Sequence, residues 1–285
     1  MTAKFGPAGN SDAYAAAGYK GNVDAPEFVS SIGLDAYEYQ CGRGVRVNEE
    51  TAQKFRSNAE RFNVAVSLHS PYYISLSSLE EEKRMNSIGY ILDSAKAVKM
   101  LGGNRVVVHS GSCAKISREQ ALELSIETVK KALNALDENG LSDIHICPET
   151  MGKLNQLGTL DEVIEICKLD ERLIPCIDFG HLNARTFGSI KTIEDYDDII
   201  KSIGNSLGEY RMKNFHAHFS KIEYTDMGEK KHLTFADNIY GPDPEPLCEL
   251  IAEYDLCPTI ICESSGTQSD DALFMKQSYK HALGI

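Results

Sequence analysis

Short apolar runs recur along this 285-residue chain, and nearly every one ends in a histidine, a carboxylate or an amide. The six later runs occupy residues 64–69, 106–109, 144–149, 174–178, 215–218 and 259–263. Their polar ends are separated by roughly 30–45 residues, which is about the length of one strand plus its crossover helix. This spacing predicts a parallel sheet in which strands alternate with helices.

Eight strand–helix units can be counted in the sequence. Two further strands are predicted at residues 4–9 and Ala36–Gln40. Helices are predicted at residues 49–62, 78–101, 117–139, 159–169, 192–203, 246–254 and 269–283, and Ser78, Ser117 and Thr159 begin capping-box sequences. A phosphate loop and a GxGxxG sequence are both absent. Eight units without these motifs favour a (β/α)8 TIM barrel that forms a single domain over residues 1–285, rather than an open nucleotide-binding sheet.

Net charge, cysteine spacing and the length of the apolar stretches argue against several classes of protein. The net charge of −13 argues against broad attraction to nucleic acid, although bound cations and a basic rim can reverse the field inside a cleft. The eight cysteines form no CxxC pair, which argues against a thiolate zinc site and fits a reducing compartment. The sequence has no apolar stretch of membrane-spanning length. We therefore expect a cytoplasmic monomer that does not bind membranes.

Closure of the strands into a barrel would bring their polar ends to one rim, where TIM-barrel enzymes hold their catalytic groups. His69 and His109 end adjacent strands, and Glu149 ends the next one. Imidazoles that face carboxylates have the composition of a divalent metal site. A single histidine at such a place is more often a hydrogen-bonded structural residue, and Glu149 has a structural alternative in a salt bridge to Lys153 or Arg185.

The remaining strand ends extend this pattern. Asp178 and His181 flank a short turn, where the alternative is a helix N-cap followed by a surface histidine. His216 and His218 share one face of a strand, so we predict that His218, nearer the rim, binds metal and that His216 supports it by a hydrogen bond. Glu263 ends the last strand, with a salt bridge in the barrel core as its alternative.

The ordered series of histidines and carboxylates resembles the endonuclease IV family of apurinic/apyrimidinic endonucleases, within the xylose isomerase-like barrel superfamily. The matching segments are residues 68–72, 108–111, 148–150, 176–184, 218–221 and 261–263. The resemblance implies three zinc sites, of which the first uses His69, His109 and Glu149, the second uses Glu149, Asp178, His218 and Glu263, and the third uses His181 and His232.

The sequence departs from that family at the third site. The family places an aspartate two residues before the histidine that corresponds to His232, and this chain has Lys230 there. A protonated lysine repels a cation, so two zinc ions are expected and a third requires Glu229 or Asp226 as a substitute. His232 itself is predicted in a loop, where a histidine alone would be exposed. Manganese or iron would also suit imidazole and carboxylate ligands.

The resemblance also implies an activity. It is hydrolysis of the DNA backbone 5′ to abasic sites in base excision repair, with Glu149 and Glu263 as the catalytic carboxylates. Double-stranded DNA with an abasic site would be the partner, and Tyr72 and Arg43 would contact it. Aromatic side chains stack on bases or fill gaps in DNA, although Tyr72 could equally cover the barrel mouth.

Two alternatives remain open at the level of sequence. A metal-dependent sugar isomerase or epimerase of the same superfamily would need a single ion, for which Asp178, His218 and the two glutamates are sufficient. Only the nuclease requires both His69 and His109 as ligands. The other alternative is a degenerate, non-catalytic barrel, for which Lys230 is the direct support.

Overall fold

The computed structural model describes residues 2–285. Its strands are β1 (Lys4–Pro7), β2 (Ala36–Gln40), β3 (Ala65–His69), β4 (Arg105–His109), β5 (His145–Glu149), β6 (Cys176–Asp178), β7 (His216–Phe219), β8 (Ile222–Thr225), β9 (Gly228–His232) and β10 (Thr259–Cys262). Its helices are α1 (Asp12–Ala16), α2 (Ala25–Ser31), α3 (Glu49–Arg61), α4 (Glu81–Met100), α5 (Arg118–Glu138), α6 (Leu160–Cys167), α7 (Phe179–Arg185), α8 (Ile193–Leu207), α9 (Glu209–Lys213), α10 (Glu245–Glu253) and α11 (Gln268–Ala282).

Eight parallel strands form the inner wall, in the order β1-β10-β7-β6-β5-β4-β3-β2. Backbone hydrogen bonds also join the two ends of this order, from Asp35 N to Phe5 O (3.1 Å) and from Gly9 N to Glu38 O (2.9 Å). The sheet is therefore closed, and the predicted single TIM-barrel fold is confirmed. The domain limits at residues 1 and 285 stay a prediction. Closure brings the carboxyl ends of all eight strands to one rim.

Gly6 allows β1 to approach β2 closely. A Cβ atom at this position would lie 1.7 Å from the carbonyl oxygen of Ala36, a backbone atom that cannot move aside without shifting β2. We expect Gly6→Val to lower the free energy of unfolding by about 3 kcal/mol, at the upper end of overpacking effects, as measured by urea denaturation. Gly89 is the matched control, because it lies in α4 with no atom within 4 Å of its added Cβ. Gly89→Ala should stabilise the protein by roughly 0.5–1 kcal/mol, and equal effects of the two variants would contradict this account.

Helix starts follow local capping chemistry only in part. The hydroxyl of Ser117 accepts a hydrogen bond from Gln120 N, and Thr159 and Glu162 form a complete capping box. The predicted box at Ser78 is wrong, because α4 begins at Glu81 after the N-cap residue Glu80. Residues 70–80 form the connection between β3 and α4 instead, and the carbonyl oxygen of Ser78 accepts a hydrogen bond from the Arg84 side chain.

An antiparallel hairpin, β8–β9, lies outside the barrel sheet and was not predicted. It follows β7 at the rim and is fixed to the loop after β5, where Glu229 N donates to Gly152 O (3.1 Å) and Leu154 N donates to Met227 O (3.2 Å). The hairpin thus adds a wall to the barrel mouth. Among residues 2–285, no helix is both long enough and apolar enough to cross a membrane.

Candidate metal centre

Glu149 lies at the centre of the rim, with a side chain that is 1% exposed. Its Oε2 atom is 3.4 Å from Nε2 of His69 and 3.1 Å from Nε2 of His109. Its Oε1 atom is 3.1 Å from Nδ1 of His218 and 3.4 Å from Nδ1 of His181. One carboxylate from β5 is therefore surrounded by four imidazoles that come from three other strands and from α7.

The structural alternative for Glu149, a salt bridge to a basic residue, does not occur. Arg185 donates instead to the carbonyl oxygen of Met151, and Lys153 is exposed at the rim. A buried carboxylate without a basic partner is costly unless other positive groups surround it. In this site, the imidazoles and any bound cation have to supply that charge.

Asp178 caps a helix and also lies next to other potential metal ligands. It is the N-cap of α7, since its Oδ1 accepts a hydrogen bond from His181 N at 2.7 Å. Its Oδ2 is buried, lies 3.2 Å from Nδ1 of His181 and makes no hydrogen bond. His181 is buried and is not the surface histidine of the alternative. Helix capping therefore fixes Asp178 in place while one oxygen stays free for another partner.

Five overlapping groups of side chains have ligand atoms that lie within 4.8 Å of one another. Three of them correspond to the sites that the resemblance implies, and they are His69, His109 and Glu149; Glu149, Asp178, His218 and Glu263; and His181, Glu229 and His232. The other two are His69, His218 and Glu263, and Cys176, His216 and His218. Two buried oxygens in these groups, Glu149 Oε2 and Asp178 Oδ2, have no hydrogen-bond partner. Unpaired buried carboxylate oxygens are rare in folded proteins, and a cation satisfies them. The residues present therefore fit a divalent ion.

The pKa values of the clustered residues also indicate a site that attracts a cation. Burial raises the pKa of Glu149, but the surrounding histidines outweigh it and hold this pKa well below its usual range. Burial lowers the pKa of His69, yet contact with Glu149 raises it to about 9. Burial also lowers the pKa of His181 and of His218, but Asp178 and Glu149 raise the pKa of His181 well above normal. Cys176, followed by Glu38, Glu263 and Glu149, does the same for the pKa of His218. The carboxylates thus attract positive charge, which protons supply on the histidines and which a metal ion would replace.

The third group is completed by a β-bulge. His232 pairs with Ile222 and Glu229 pairs with Tyr224, so β9 has one more residue than β8 over this stretch. The extra residue is Lys230, which has no partner in β8. It shifts the alternation of side chains between the two faces of β9 by one residue. Glu229 and His232 consequently face the same side, with Glu229 Oε2 3.4 Å from Nε2 of His181. Lys230 points to solvent and pairs with Glu223 at 2.6 Å, so it does not repel a cation in the cavity.

His232 was predicted to bind metal from a loop, with exposure to solvent as the alternative, and both the loop and the exposed alternative are wrong. It lies in β9, its side chain is 25% exposed, and Ser220 Oγ is 2.8 Å from its Nδ1. Its ring contacts that of His181, with centroids 5.4 Å apart. The loop after β7 folds back as a hairpin, and this hairpin brings the histidine to the rim.

Gly152 makes room for this hairpin. A Cβ atom on Gly152 would lie 2.5 Å from Cβ of Glu229 and 3.0 Å from the His181 ring. The glycine therefore allows β9 to approach until the Glu229 carboxylate reaches the cavity. Sequence reasoning gave Gly152 no role, and its importance depends on a contact between segments that are distant in the chain.

Glu229→Gln should weaken binding at the third group by more than about 100-fold, since a ligand is lost and not merely its outer support. The expected result is one fewer zinc ion per chain at a fixed, buffered free zinc concentration. Lys230→Ala is the matched control and should leave the zinc content unchanged. Equal zinc content in the wild type and Glu229→Gln would contradict this role of Glu229.

The predicted DNA-contacting residues lie beside the metal cavity. Tyr72 is 59% exposed, and its ring centroid is 5.3 Å from that of His69 and 5.7 Å from that of His109. It separates the metal cavity, of about 320 Å³, from a neighbouring cavity of about 360 Å³. Arg43 and Arg46 line the second cavity. These two arginines are therefore adjacent to the carboxylate cluster and not within it.

Glu38 was missed by the sequence analysis. It lies in the middle of β2, is 0% exposed, and contacts His216 and His218 in the barrel interior. A signal was present, because a glutamate stands at the centre of the otherwise uncharged strand Ala36–Gln40. A charge inside a buried strand requires a partner, and that requirement could have identified it.

An eight-stranded barrel with these groups at its carboxyl-terminal rim defines a metal-binding TIM-barrel enzyme. The family described as xylose isomerase-like TIM barrel matches residues 26–282 of this chain. The chain belongs to this family.

Several relatives and solved structures are similar to the chain. An uncharacterized protein of Methanocaldococcus jannaschii is 32% identical over 252 residues, which cover 88% of this chain and 90% of the relative. A probable endonuclease 4 of Methanosphaera stadtmanae is 29% identical over 157 residues, and the match spans 54% of either chain. Among solved structures, a D-tagatose 3-epimerase-like protein has a TM-score of 0.71 at 20% identity, covering 99% of this chain and 97% of its own. Endonuclease IV from Thermus thermophilus has a TM-score of 0.69 at 18% identity, covering 99% of each chain. At these identities the structural likeness shows the fold alone.

Proposed function

We propose that this protein is a metal-dependent phosphodiesterase that hydrolyses the DNA backbone 5′ to abasic sites. The observation that carries the proposal is the convergence of His69 and His109 on one oxygen of Glu149, at 3.4 and 3.1 Å. That oxygen has no hydrogen bond. A single-ion sugar enzyme has no need of this additional group of ligands, whereas a nuclease with several ions does.

A second support is the shape and composition of the rim. Exposed aromatic and apolar side chains lie in the segments that follow the carboxyl ends of β3, β6 and β7, and Tyr72 among them lines the metal cavity. They are Tyr72, Tyr73, Leu79, Phe187, Met227 and Ile239. Such exposure at the opening suits a large substrate that covers the rim better than a small sugar enclosed within it. The relatives named as probable endonuclease 4 point in the same direction.

The residues of the three groups would have the following roles in binding metal. Glu149 lies between the first two groups and would share its two oxygens between them. Asp178, His218 and Glu263 would complete the second group, and Glu229 with His181 and His232 the third. When bound, divalent ions at such sites lower the pKa of water and neutralise phosphate charge. Zinc is the proposed metal, and manganese or iron would also suit the ligands.

Substrate positioning would fall to the rim. Tyr72 projects beside His69 and His109, where a ring could stack on a base or fill the gap left by a missing one. Arg43 and Arg46 lie in the adjoining cavity and could each contact a backbone phosphate. Lys153 adds a third cation at the edge of the metal cavity. These local cations would offset the unfavourable net charge of −13 close to the site.

A second candidate function is metal-dependent epimerisation of a ketose sugar. Its specific support is the group of Glu149, Asp178, His218 and Glu263, which could hold one ion without the other two groups. The TM-score with the D-tagatose 3-epimerase-like structure, 0.71, is similar to the TM-score with endonuclease IV, 0.69.

The test compares the two substrates directly. Purified protein loaded with zinc, manganese or iron would be given a duplex oligonucleotide with one abasic analogue, the same duplex without it, and a panel of ketohexoses. We expect cleavage only of the strand that contains the abasic analogue, on the 5′ side of the lesion, leaving a 3′-hydroxyl end. Turnover of a ketohexose without nicking would favour the epimerase. No turnover of either substrate would contradict both proposals.

A further inference from the structure

Glu38 is a buried acid in the layer of side chains beneath the metal cavity. It lies in β2, where Tyr37 and Tyr39 alternate with it and point to the opposite face. Its side chain therefore projects into the barrel, and it is 0% exposed. No lysine or arginine pairs with it among residues 2–285. A carboxylate in this position needs several hydrogen-bond donors to offset the loss of water.

The two oxygens of Glu38 are surrounded by such donors. Oε2 accepts from Nε2 of His216 at 3.0 Å and from the Ser67 hydroxyl at 2.9 Å. Oε1 accepts from the Gln40 amide at 3.2 Å. Oε1 also lies 3.0 Å from Nε2 of His218, close enough for a charge-assisted contact although the N–H direction is off line. Both histidines thus present the same nitrogen, Nε2, to one acid.

The opposite nitrogen of His218 faces the metal cluster. Its Nδ1 atom is 3.1 Å from Glu149 Oε1 and 3.5 Å from Glu263 Oε1. Ionised carboxylates only accept hydrogen bonds, so both ring nitrogens can carry a proton when no metal is bound, and Nδ1 hydrogen-bonds to Glu149 Oε1. An ion held among the ligand atoms of Glu149, Asp178 and Glu263 would replace the proton on Nδ1, and the remaining proton would then be on Nε2, facing Glu38. One ring nitrogen of His218 therefore faces Glu38, and the other faces the potential metal ligands Glu149 and Glu263.

We propose that Glu38 is a positioning residue that fixes the tautomer and orientation of His218, so that Nδ1 is the nitrogen that binds metal. His216 extends the arrangement, because it contacts the other oxygen of the same acid and helps to hold its carboxylate plane. The inference rests on the metal site of the proposed function, but it does not depend on what the substrate is. Histidine ligands that donate their second nitrogen to a carboxylate bind metals more tightly.

The first test uses the wild-type protein and requires no variant. Nitrogen-15 shifts of the histidine rings in the zinc-loaded protein distinguish a protonated nitrogen from one that binds metal. We expect His218 to carry its proton on Nε2 and to bind zinc through Nδ1. Binding through Nε2, or a proton on Nδ1, would overturn the inference. In the cobalt-loaded protein, a thiolate absorption band from Cys176, which lies near His216 and His218, would also overturn it.

The second test measures zinc retention in Glu38→Gln across a series of buffered free zinc concentrations. The amide carries no charge and has an NH2 donor in place of one carboxylate oxygen, so one of the two imidazole nitrogens would face a donor. We expect the ion held by Glu149, Asp178, His218 and Glu263 to be released at about 10–100-fold higher free zinc than in the wild type. Glu38→Asp, which restores the charge, should recover part of this loss. Unchanged retention in a folded Glu38→Gln protein would contradict the proposal.

Two controls separate this effect from general damage and from the proposed activity. Ser67→Ala removes a donor to Glu38 that does not contact His218, and it should shift zinc retention far less than Glu38→Gln. Glu229→Gln should show the reverse pattern, with loss at the third group only. These are metal-binding measurements without DNA. If the tautomer and zinc retention behave as expected while abasic DNA is not cleaved, the positioning role stands and the proposed substrate fails.

Discussion

Replacing Glu149 with glutamine should lower the rate of abasic-site cleavage by at least about a thousandfold, which corresponds to about 4 kcal/mol in the activation barrier. The reason is the position of this carboxylate. Its two oxygens face His69 and His109 on one side and His181 and His218 on the other. The amide keeps the shape but loses the charge and one acceptor, so both ion groups that share Glu149 lose a ligand. The measurement is single-turnover cleavage of an abasic duplex at saturating enzyme.

The matched control is Glu245→Gln, which removes an exposed charge on α10 at a residue that lines neither the metal cavity nor the neighbouring one. It should cleave at the wild-type rate. Circular dichroism and a urea titration would establish that Glu149→Gln remains folded. A folded Glu149→Gln protein that retains full activity would remove this residue from the mechanism.

Removal of metal should produce the second large effect, a fall in the free energy of unfolding of several kcal/mol together with complete loss of activity. Ions that bind only the folded state stabilise it by about 4 kcal/mol per site at a free concentration a thousand times Kd. The site supplies a physical reason for strong binding, since Glu149 Oε2 and Asp178 Oδ2 are buried without hydrogen bonds. The measurement is urea denaturation of the zinc-loaded protein with and without excess EDTA.

Zinc-saturated EDTA is the control for effects of the chelator itself, and it should leave the denaturation midpoint unchanged. Added zinc should restore both the midpoint and the activity of the stripped protein. The same midpoint with and without free chelator, in protein shown to have lost its metal, would mean that the ions contribute nothing to stability.

Much of the architecture could be predicted from the sequence, because it depends on local signals that repeat. Apolar runs set the strands, and their polar ends identified His69, His109, Glu149 and Asp178 as groups that would meet at one rim. Parallel strands in a closed barrel have only one carboxyl-terminal face, so knowing the strand was enough to place its last residue. Which ions these residues hold is a separate question that spacing alone does not answer.

The sequence named Glu229 as a substitute ligand, but its orientation, like the role of Glu38, depends on contacts between distant segments. The orientation of Glu229 follows from the bulge at Lys230, and a strand that is read by simple alternation points the lysine inward instead. Room for that carboxylate comes from Gly152, in another part of the chain. Glu38 belongs to a strand that was predicted correctly, but its partners lie on β7, nearly 180 positions away. Neither case has a signal in the periodicity of its own segment.

The most direct test of the metal centre is anomalous X-ray diffraction from crystals of the protein purified without added metal. Data collected at the absorption edges of zinc, manganese and iron give the number, identity and ligands of any bound ions. We expect ions among His69, His109, Glu149, Asp178, His218 and Glu263, and a further ion beside His181, Glu229 and His232. Anomalous peaks confined to other parts of the protein, or none at this rim in metal-replete crystals, would contradict the account.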